Sequence, residues 1–380
     1  MQEFFKSDVN EMKKSSEKAG ENIYGREKFL PEEAKEHVES LVLDFKNYYS
    51  ILGYKEESPV PISSGVDSSV RFIGSHISVF KRYLKENNIP CPGLFMRQNC
   101  LRTKNADKLL DDDYLPSWGS YFPSIGAITP PERLRETCGE FFSFFENKLG
   151  VSPENMLVRI NSADTDLINA CKQNNKNDIL EMDSRDPEYY KHKIGIDGVR
   201  GRNFNIALQS SKPGENSFID VGNVIILEDA ERSLGVESAL GSTMILKQLH
   251  GLDRVQDCMP VTGLIVENED IKGKFEDAII TSTVLYREGL RPFGQHNRNR
   301  ILKQYVRALS YFRAKSKISI ENLSNIILSF EKREFPESTD QVTNVLIEFV
   351  KAFENDLLLK NNLTDDDKKI KESLQSFSKY

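Results

Sequence analysis

From Asp270 onward nearly every apolar residue recurs at helical spacing, whereas before it strand-like and helix-like runs alternate. That change of pattern narrows the choice of fold more than anything else in the sequence. A helix is expected from Pro31-Glu32-Glu33, where a proline and two acids suit a first turn. Val38, Leu41, Val42, Phe45 and Tyr49 then share one face, and Gly53 stops the run. A short strand, Tyr54 to Pro61, leads to the loop Ile62-Ser63-Ser64-Gly65, and 70–84 is a mixed segment. Two strands, Gly93 to Leu101 and Trp118 to Ile128, flank a charged loop holding Lys104, Asp107, Lys108 and the acids at 111–113. An amphipathic helix is expected over Pro131 to Leu149 and a strand over Leu157 to Ile160. The polar stretch 163–192 carries no clear period. Strands follow at Phe204–Leu208 and Phe218–Leu227, then a helix from Gly241 to Leu249. The helical remainder breaks at Gly289 to Gly294, at Lys317-Ile318 and at Phe335-Pro336. This order predicts an α+β fold, an antiparallel sheet flanked by helices, followed by an all-α domain.

The 380 residues carry a formal net charge of −7, which argues against overall electrostatic attraction to nucleic acid but allows a local basic face. No run approaches the roughly 18–20 apolar residues of a membrane helix. The N-terminus lacks the apolar stretch of a secretory signal, so the chain reads as cytoplasmic, with no membrane partner. Cys91, Cys100, Cys138, Cys171 and Cys258 are scattered, and no CxxC or HExxH occurs. Neither a disulfide frame nor a protein-bound zinc or other metal is expected.

Four collinear stretches carry a resemblance. The first is FKNYYSILGYKEESPVPISSGVDSSVRFIGSHISVFKRYL. The second, MRQNCLRTKNADKLLDDDYLPSWGSYFPSIGAI, contains Q-x-C-x-R, a polar loop and a strand. The third joins GIDGVRGRNFNIALQ, FIDVGNVIILE and VESALGSTMILKQLHG, and the fourth is FEDAIITSTVLYREGLRPFGQHNRNRILKQYVRAL. Together they resemble, over about residues 38–330, the opening segment, motif 2, the central strands with motif 3, and the acceptor-stem helices of alanyl-tRNA synthetase. The chain looks like a shortened class II aminoacyl-tRNA synthetase paralogue. The expected parts are an N-terminal helical extension (1–35), a class II synthetase-like core (36–255) and a helical domain resembling the acceptor-stem recognition domain (256–380).

The resemblance implies ATP-dependent activation of an amino acid, with magnesium accompanying the nucleotide. Arg102 matches the motif 2 arginine that grips the α-phosphate and the carboxylate, a task suited to a guanidinium fork. Taken alone it reads equally as a bridge to acids such as Asp107. Phe122 and Gly241 fall at nucleotide-binding positions. Asn223 and Gly222 match the strand lining the amino-acid pocket, and Glu237 replaces the aspartate that holds the substrate's ammonium. Gly195, Gly198 and Gly201 keep the glycine period of the family's loop. Asn297, Arg298 and Arg300 match the tRNA-binding helices, in a run of Lys and Arg that reads equally as a solvated face.

The departures bear on activity. Motif 3 requires G-x-G-x-x-R, and here the first glycine is Ala239 and the arginine is Met244. Asn205 stands for a carboxylate and Gly222 for a tryptophan, while Trp118 and Phe122 replace an acid and an asparagine of motif 2. Losing one transition-state cation costs about 10² or more in rate. Three functions fit: an aminoacyl-adenylate-forming ligase with tRNA or another acceptor and a substrate that need not be alanine; an inactive paralogue that binds tRNA or a protein as a regulatory subunit; or an amino-acid-activating enzyme of small-molecule metabolism. The sequence leaves the oligomeric state open.

Overall fold

The computed structural model describes residues 29–111, 113–114, 117–212, 214–259, 264 and 269–360. Most of the expected extension, 1–28, and the C-terminal stretch from 361 lie outside the described residues. Helix α1 spans Pro31–Ile51. Its face of Val38, Leu41, Val42, Phe45 and Tyr49 is buried, as the spacing predicts. Only Lys55–Glu56 of the strand expected at 54–61 pairs, as β1 beside Leu94 and Phe95. Pro59 and Pro61 have no N–H to donate to a ladder, so the segment leaves the sheet. Helix α2 covers Ile77–Glu86. Strands β2 (Leu94–Leu101) and β3 (Tyr121–Thr129) pair antiparallel, followed by helix α3 (Leu134–Ser143), which runs on as a π turn to Lys148.

The polar stretch resolves into helix α4 (Thr165–Gln173) and strands β5 (Leu180–Met182) and β6 (Lys191–Lys193), after β4 (Met156–Ile160). Strands β7 (Arg200–Gln209), β8 (Phe218–Glu228) and β9 (Ser233–Gly241) then lead into helix α5 (Ser242–Leu249). Among the described residues the sheet runs β1-β2-β3-β9-β8-β7-β4-β5, with β6 beside β7. Its body is antiparallel, and only β1 and β5 join parallel, at the edges.

The two sheet faces have separate cores. One face carries Phe95, Ile125, Phe204, Val224 and Leu240 against α1, α3, α4 and α5. The other carries Leu94, Met96, Ile128 and Ile225 against Val79, Phe80 and Leu84 of α2. Helices α6 (Glu269–Arg287), α7 (Asn297–Lys315), α8 (Ile320–Glu334) and α9 (Thr343–Lys360) follow. Their core is continuous with Ile62, Phe72, Leu101 and Tyr121 of the sheet region. The fold is therefore α+β with an antiparallel sheet flanked by helices, then all-α, as expected. No helix among the described residues is long and apolar enough to cross a membrane.

Two polar knots fix the helices to the sheet. Asp277 of α6 accepts from the Ser120 backbone N–H at 2.7 Å and from its hydroxyl at 2.6 Å, and Tyr305 of α7 donates to that hydroxyl at 2.7 Å. The Ser120 carbonyl in turn accepts from the Arg102 backbone N–H at 2.8 Å. The second knot holds the loop after β1. Glu288 accepts from the Ile62 and Ser63 N–H groups at 2.6 and 2.5 Å. Arg298 donates to the carbonyls of Ser63, Ser64 and Arg71.

Candidate active site on the α2 face of the sheet

Successive side chains of a strand point to opposite faces, so the register decides which residues meet. One row across the α2 face is Met96, Gly126, Ala239, Asn223 and Asn205. The row beside it is Leu94, Ile128, Glu237, Ile225 and Asn203. Towards the end of β2 come Gln98, Ser124 and Gly241, then Cys100 and Phe122, with Arg102 just beyond the strand. Arg102, Phe122, Asn223, Glu237 and Gly241 are thus brought onto one face. Arg102, Phe122, Asn223, Ala239 and Gly241 are solvent-accessible there, whereas Glu237, next to α2, and Asn203, next to His192, are buried.

Arg102 has the electrostatics of an anion site. Its guanidinium stacks over the Phe122 ring, 5.1 Å from the centroid, and its Nε reaches the Gly74 carbonyl at 3.5 Å. No carboxylate lies within ion-pair distance of it among the described residues. Asp107, the acid the sequence offered as a partner, accepts instead from Gln304 of α7 at 2.6 Å. Surrounding protein desolvates Arg102 enough to lower its pKa, although water reaches the side chain. An exposed cation without a counter-ion is stabilised by an incoming phosphate or carboxylate.

Glu237 has the opposite character. It is 1% exposed, between Ile128 and Ile225, and its Oε1 has no hydrogen-bond partner. Burial pushes its carboxyl up to about 8, and a hydrogen bond from the Ile77 backbone at the start of α2 offsets only part of that. Without a cation beside it the group is mostly protonated at neutral pH. An ammonium placed against Oε1 would favour the carboxylate. Asn223 Oδ1 is also buried and without a partner.

Sequence reasoning passed over three side chains here. His76, the residue before α2, lies against Gly126, where a Cβ would come within 2.7 Å of its Nδ1. Burial first, then the nearby Arg102, push its pKa down to about 4, so the ring is neutral; the Ser124 backbone works the other way. Although Ser124 is close, neither ring nitrogen completes a hydrogen bond of ordinary geometry. His192 is depressed likewise by burial and by Arg102. Asn203, in the row of Glu237, is fully buried and leaves both Oδ1 and Nδ2 without a partner. Dispersed as they are in the chain, these residues give no linear motif; the strand register alone unites them.

Other predicted residues lie elsewhere. Gly222 faces the opposite side from Asn223, where a Cβ would come within 2.5 Å of the Ala239 carbonyl oxygen and would meet Leu240. It accommodates core packing there and does not widen the site. Gly195 and Gly198 sit at turns with positive φ, and Gly201 lies in β7. Met244 of α5 packs, half-buried, against the core on the α1 face, so it brings no cation to the site. Asn297 and Arg300 are exposed at the start of α7, while the Arg298 guanidinium is engaged by the three loop carbonyls. Arg313, also of the basic run, is buried against Glu354 at 2.9 Å. Among the described residues no group of three or more His, Cys, Asp or Glu could hold a metal ion.

No family model matches the chain, and no match was found among curated proteins. The solved structures similar to it include the following three. A putative threonyl-tRNA synthetase, ThrRS-1, from Aeropyrum pernix is 14% identical at a TM-score of 0.40, over 67% of this chain and 70% of that one. The RNA binding domain of threonyl-tRNA synthetase from Cryptosporidium parvum Iowa II is 12% identical at 0.35, over 57% and 63%. Apo histidyl-tRNA synthetase from S. aureus is 12% identical at 0.36, over 59% and 72%. Likenesses at this level fix no activity, substrate or partner for this chain.

Proposed function

We propose that the chain is a class II synthetase-like protein of alanyl-tRNA synthetase ancestry that binds ATP and an amino acid on the α2 face of its sheet and joins them as an aminoacyl adenylate. The observation that carries this is the exposed Arg102, without a carboxylate partner among the described residues, on the same face as the buried Glu237, whose Oε1 has no partner. In this reading Arg102 holds the α-phosphate and the amino acid's carboxylate, whose oxygen attacks phosphorus with loss of pyrophosphate. The Phe122 ring borders the nucleotide and Gly241 leaves room for it. Glu237, ionised by the incoming ammonium, and Asn223 orient the amino acid for in-line attack. Magnesium arrives with the nucleotide. Asn297 and Arg300 are the exposed groups that would meet a tRNA acceptor end.

Calorimetry with ATP and with aminoacyl-sulfamoyl adenosines, beside pyrophosphate exchange over all amino acids, tests the proposal. Binding and exchange are expected for the wild type, with a loss of about 10² or more in Arg102→Ala. Silence in every assay would remove the reading.

One observation favours a second reading. The position expected to supply the motif 3 arginine is Met244, half-buried beside Gly241 and against the core. A paralogue that binds tRNA or a protein without forming adenylate fits that loss. ATP-independent tRNA binding without exchange would establish it, and detectable adenylate would exclude it.

A further inference from the structure

The deep end of the site holds more unpartnered polar atoms than an alanine substrate could use. Asn203 is fully buried with neither amide atom bonded, and Glu237 Oε1 and Asn223 Oδ1 are also without partners. Each such buried group is costly relative to a satisfied one. All three stand on the α2 face, with Asn203 and Glu237 separated by Ile225 in one row and Asn223 in the next. Next to Asn203 on that face the space around Gly201 is filled by Ile225, Ile194 and His192. A Cβ on Gly201, the next residue of β7 on that face, would lie 2.8 Å from Ile225 Cγ2, 3.1 Å from His192 Cβ and 3.3 Å from Ile194 Cδ1. His192 lies close to the Asn203 amide, yet its Nε2 completes no bond of ordinary geometry.

We infer that the amino-acid substrate carries an uncharged polar side chain with both a donor and an acceptor, of the carboxamide or hydroxyl type, and that Asn203 is the residue that reads it. The assignment deepens the reading of this face as an amino-acid site and rests on it. An amide that completes no hydrogen bond of ordinary geometry, although His192 is beside it, can still match a group that offers a donor and an acceptor together. A methyl or branched apolar side chain would leave the Asn203 amide buried and unsatisfied. The charges of the proposed site, Glu237 and Arg102, are taken by the substrate's own ammonium and carboxylate, which leaves neither for a charged side chain.

The test is a binding series of aminoacyl-sulfamoyl adenosines on the full chain, with the asparagine, glutamine, serine and threonine analogues set against those of alanine, valine, leucine, lysine and glutamate. At least one polar uncharged analogue should bind about 10² or more times tighter than every apolar one, the discrimination shown by sites that pair a substrate's polar group. Asn203→Leu should remove that preference. The wild-type ranking tests the idea even if the variant does not fold. Tightest binding by an apolar or charged analogue overturns the inference and leaves the amino-acid site standing, with Asn203 serving ordered water. Binding by none of the series overturns the amino-acid site and the inference together.

Discussion

Gly222 and Asn223 are adjacent in the chain and face opposite sides of the sheet, one into the core over α1 and the other into the candidate site. A methyl group at 222 would collide with the Ala239 carbonyl and Leu240. Gly222→Ala should therefore destabilise the fold by about 1–3 kcal/mol, the usual cost of overpacking, while ligand affinity per folded molecule changes little. Denaturant unfolding and calorimetry on the same preparation separate the two. A large change in affinity with unchanged stability would place this residue in the pocket after all.

Glu237 should leave a pH signature. Its carboxyl moves from an ordinary 4.5 to about 8 in the fold. Between those values the native state keeps a proton that the unfolded chain has lost, so this group makes stability fall as pH rises, until it is ionised in both states. Glu237→Gln should remove that slope. It should match the wild type near pH 5 and exceed it by up to a few kcal/mol above pH 8, one pKa unit being about 1.4 kcal/mol. Melting temperatures across pH give the answer, and parallel curves would refute it. The same variant should lose affinity for amine-bearing ligands, because a neutral amide cannot ionise to meet the ammonium.

Arg298 and Arg300, two positions apart, should behave differently. Arg298 holds the loop carbonyls of Ser63, Ser64 and Arg71, so Arg298→Ala should cost about 1.5–3 kcal/mol and raise hydrogen exchange over 62–72. Arg300 is exposed, so Arg300→Ala should leave the melting temperature unchanged. If the start of α7 meets RNA, it should also reduce the salt slope of tRNA binding by about one. Identical behaviour of the two variants would contradict the structure.

Asp277 should act on the site from a distance. It holds Ser120, whose carbonyl fixes the Arg102 backbone. Asp277→Ala should leave buried donors on Ser120 unsatisfied, at about 1–3 kcal/mol, and weaken nucleotide binding by displacing Arg102. Asp277→Asn keeps an acceptor for one of the two donors and should recover part of both losses. A stability loss with unchanged nucleotide affinity would dissociate Asp277 from the site.

Much of the fold was readable from apolar spacing. Strands β2, β3, β4 and β8, the first helix and the terminal helices fall where alternation and helical period place them. Strand β9 was not, although it sits mid-sheet between β3 and β8. Its residues on the α2 face are Gly235, Glu237, Ala239 and Gly241, and Ser238 interrupts the apolar series Leu234, Val236, Leu240 on the other face, so the alternation is weak. The polar stretch 163–192 hid α4, β5 and β6 for a related reason, since these elements are short and largely charged on their outer sides. Within the site, motif matching alone led to Arg102, Asn223 and Glu237. It could not assign Gly222 to the correct face, because facing depends on pairing. Nor could it find His76 or Asn203, whose meaning comes only from the neighbours that register supplies.

The loop that passes the Arg102 guanidinium at Gly74 is tethered by Glu288 and Arg298, which both belong to the helical half. Sheet and helices are consequently not separable modules. A fragment cut near residue 255 would leave Ser120 and the 62–73 strap without their anchors and bare the apolar surface of Ile62, Phe72, Leu101 and Tyr121. Such a trimmed protein is the wrong material for judging what the full chain does.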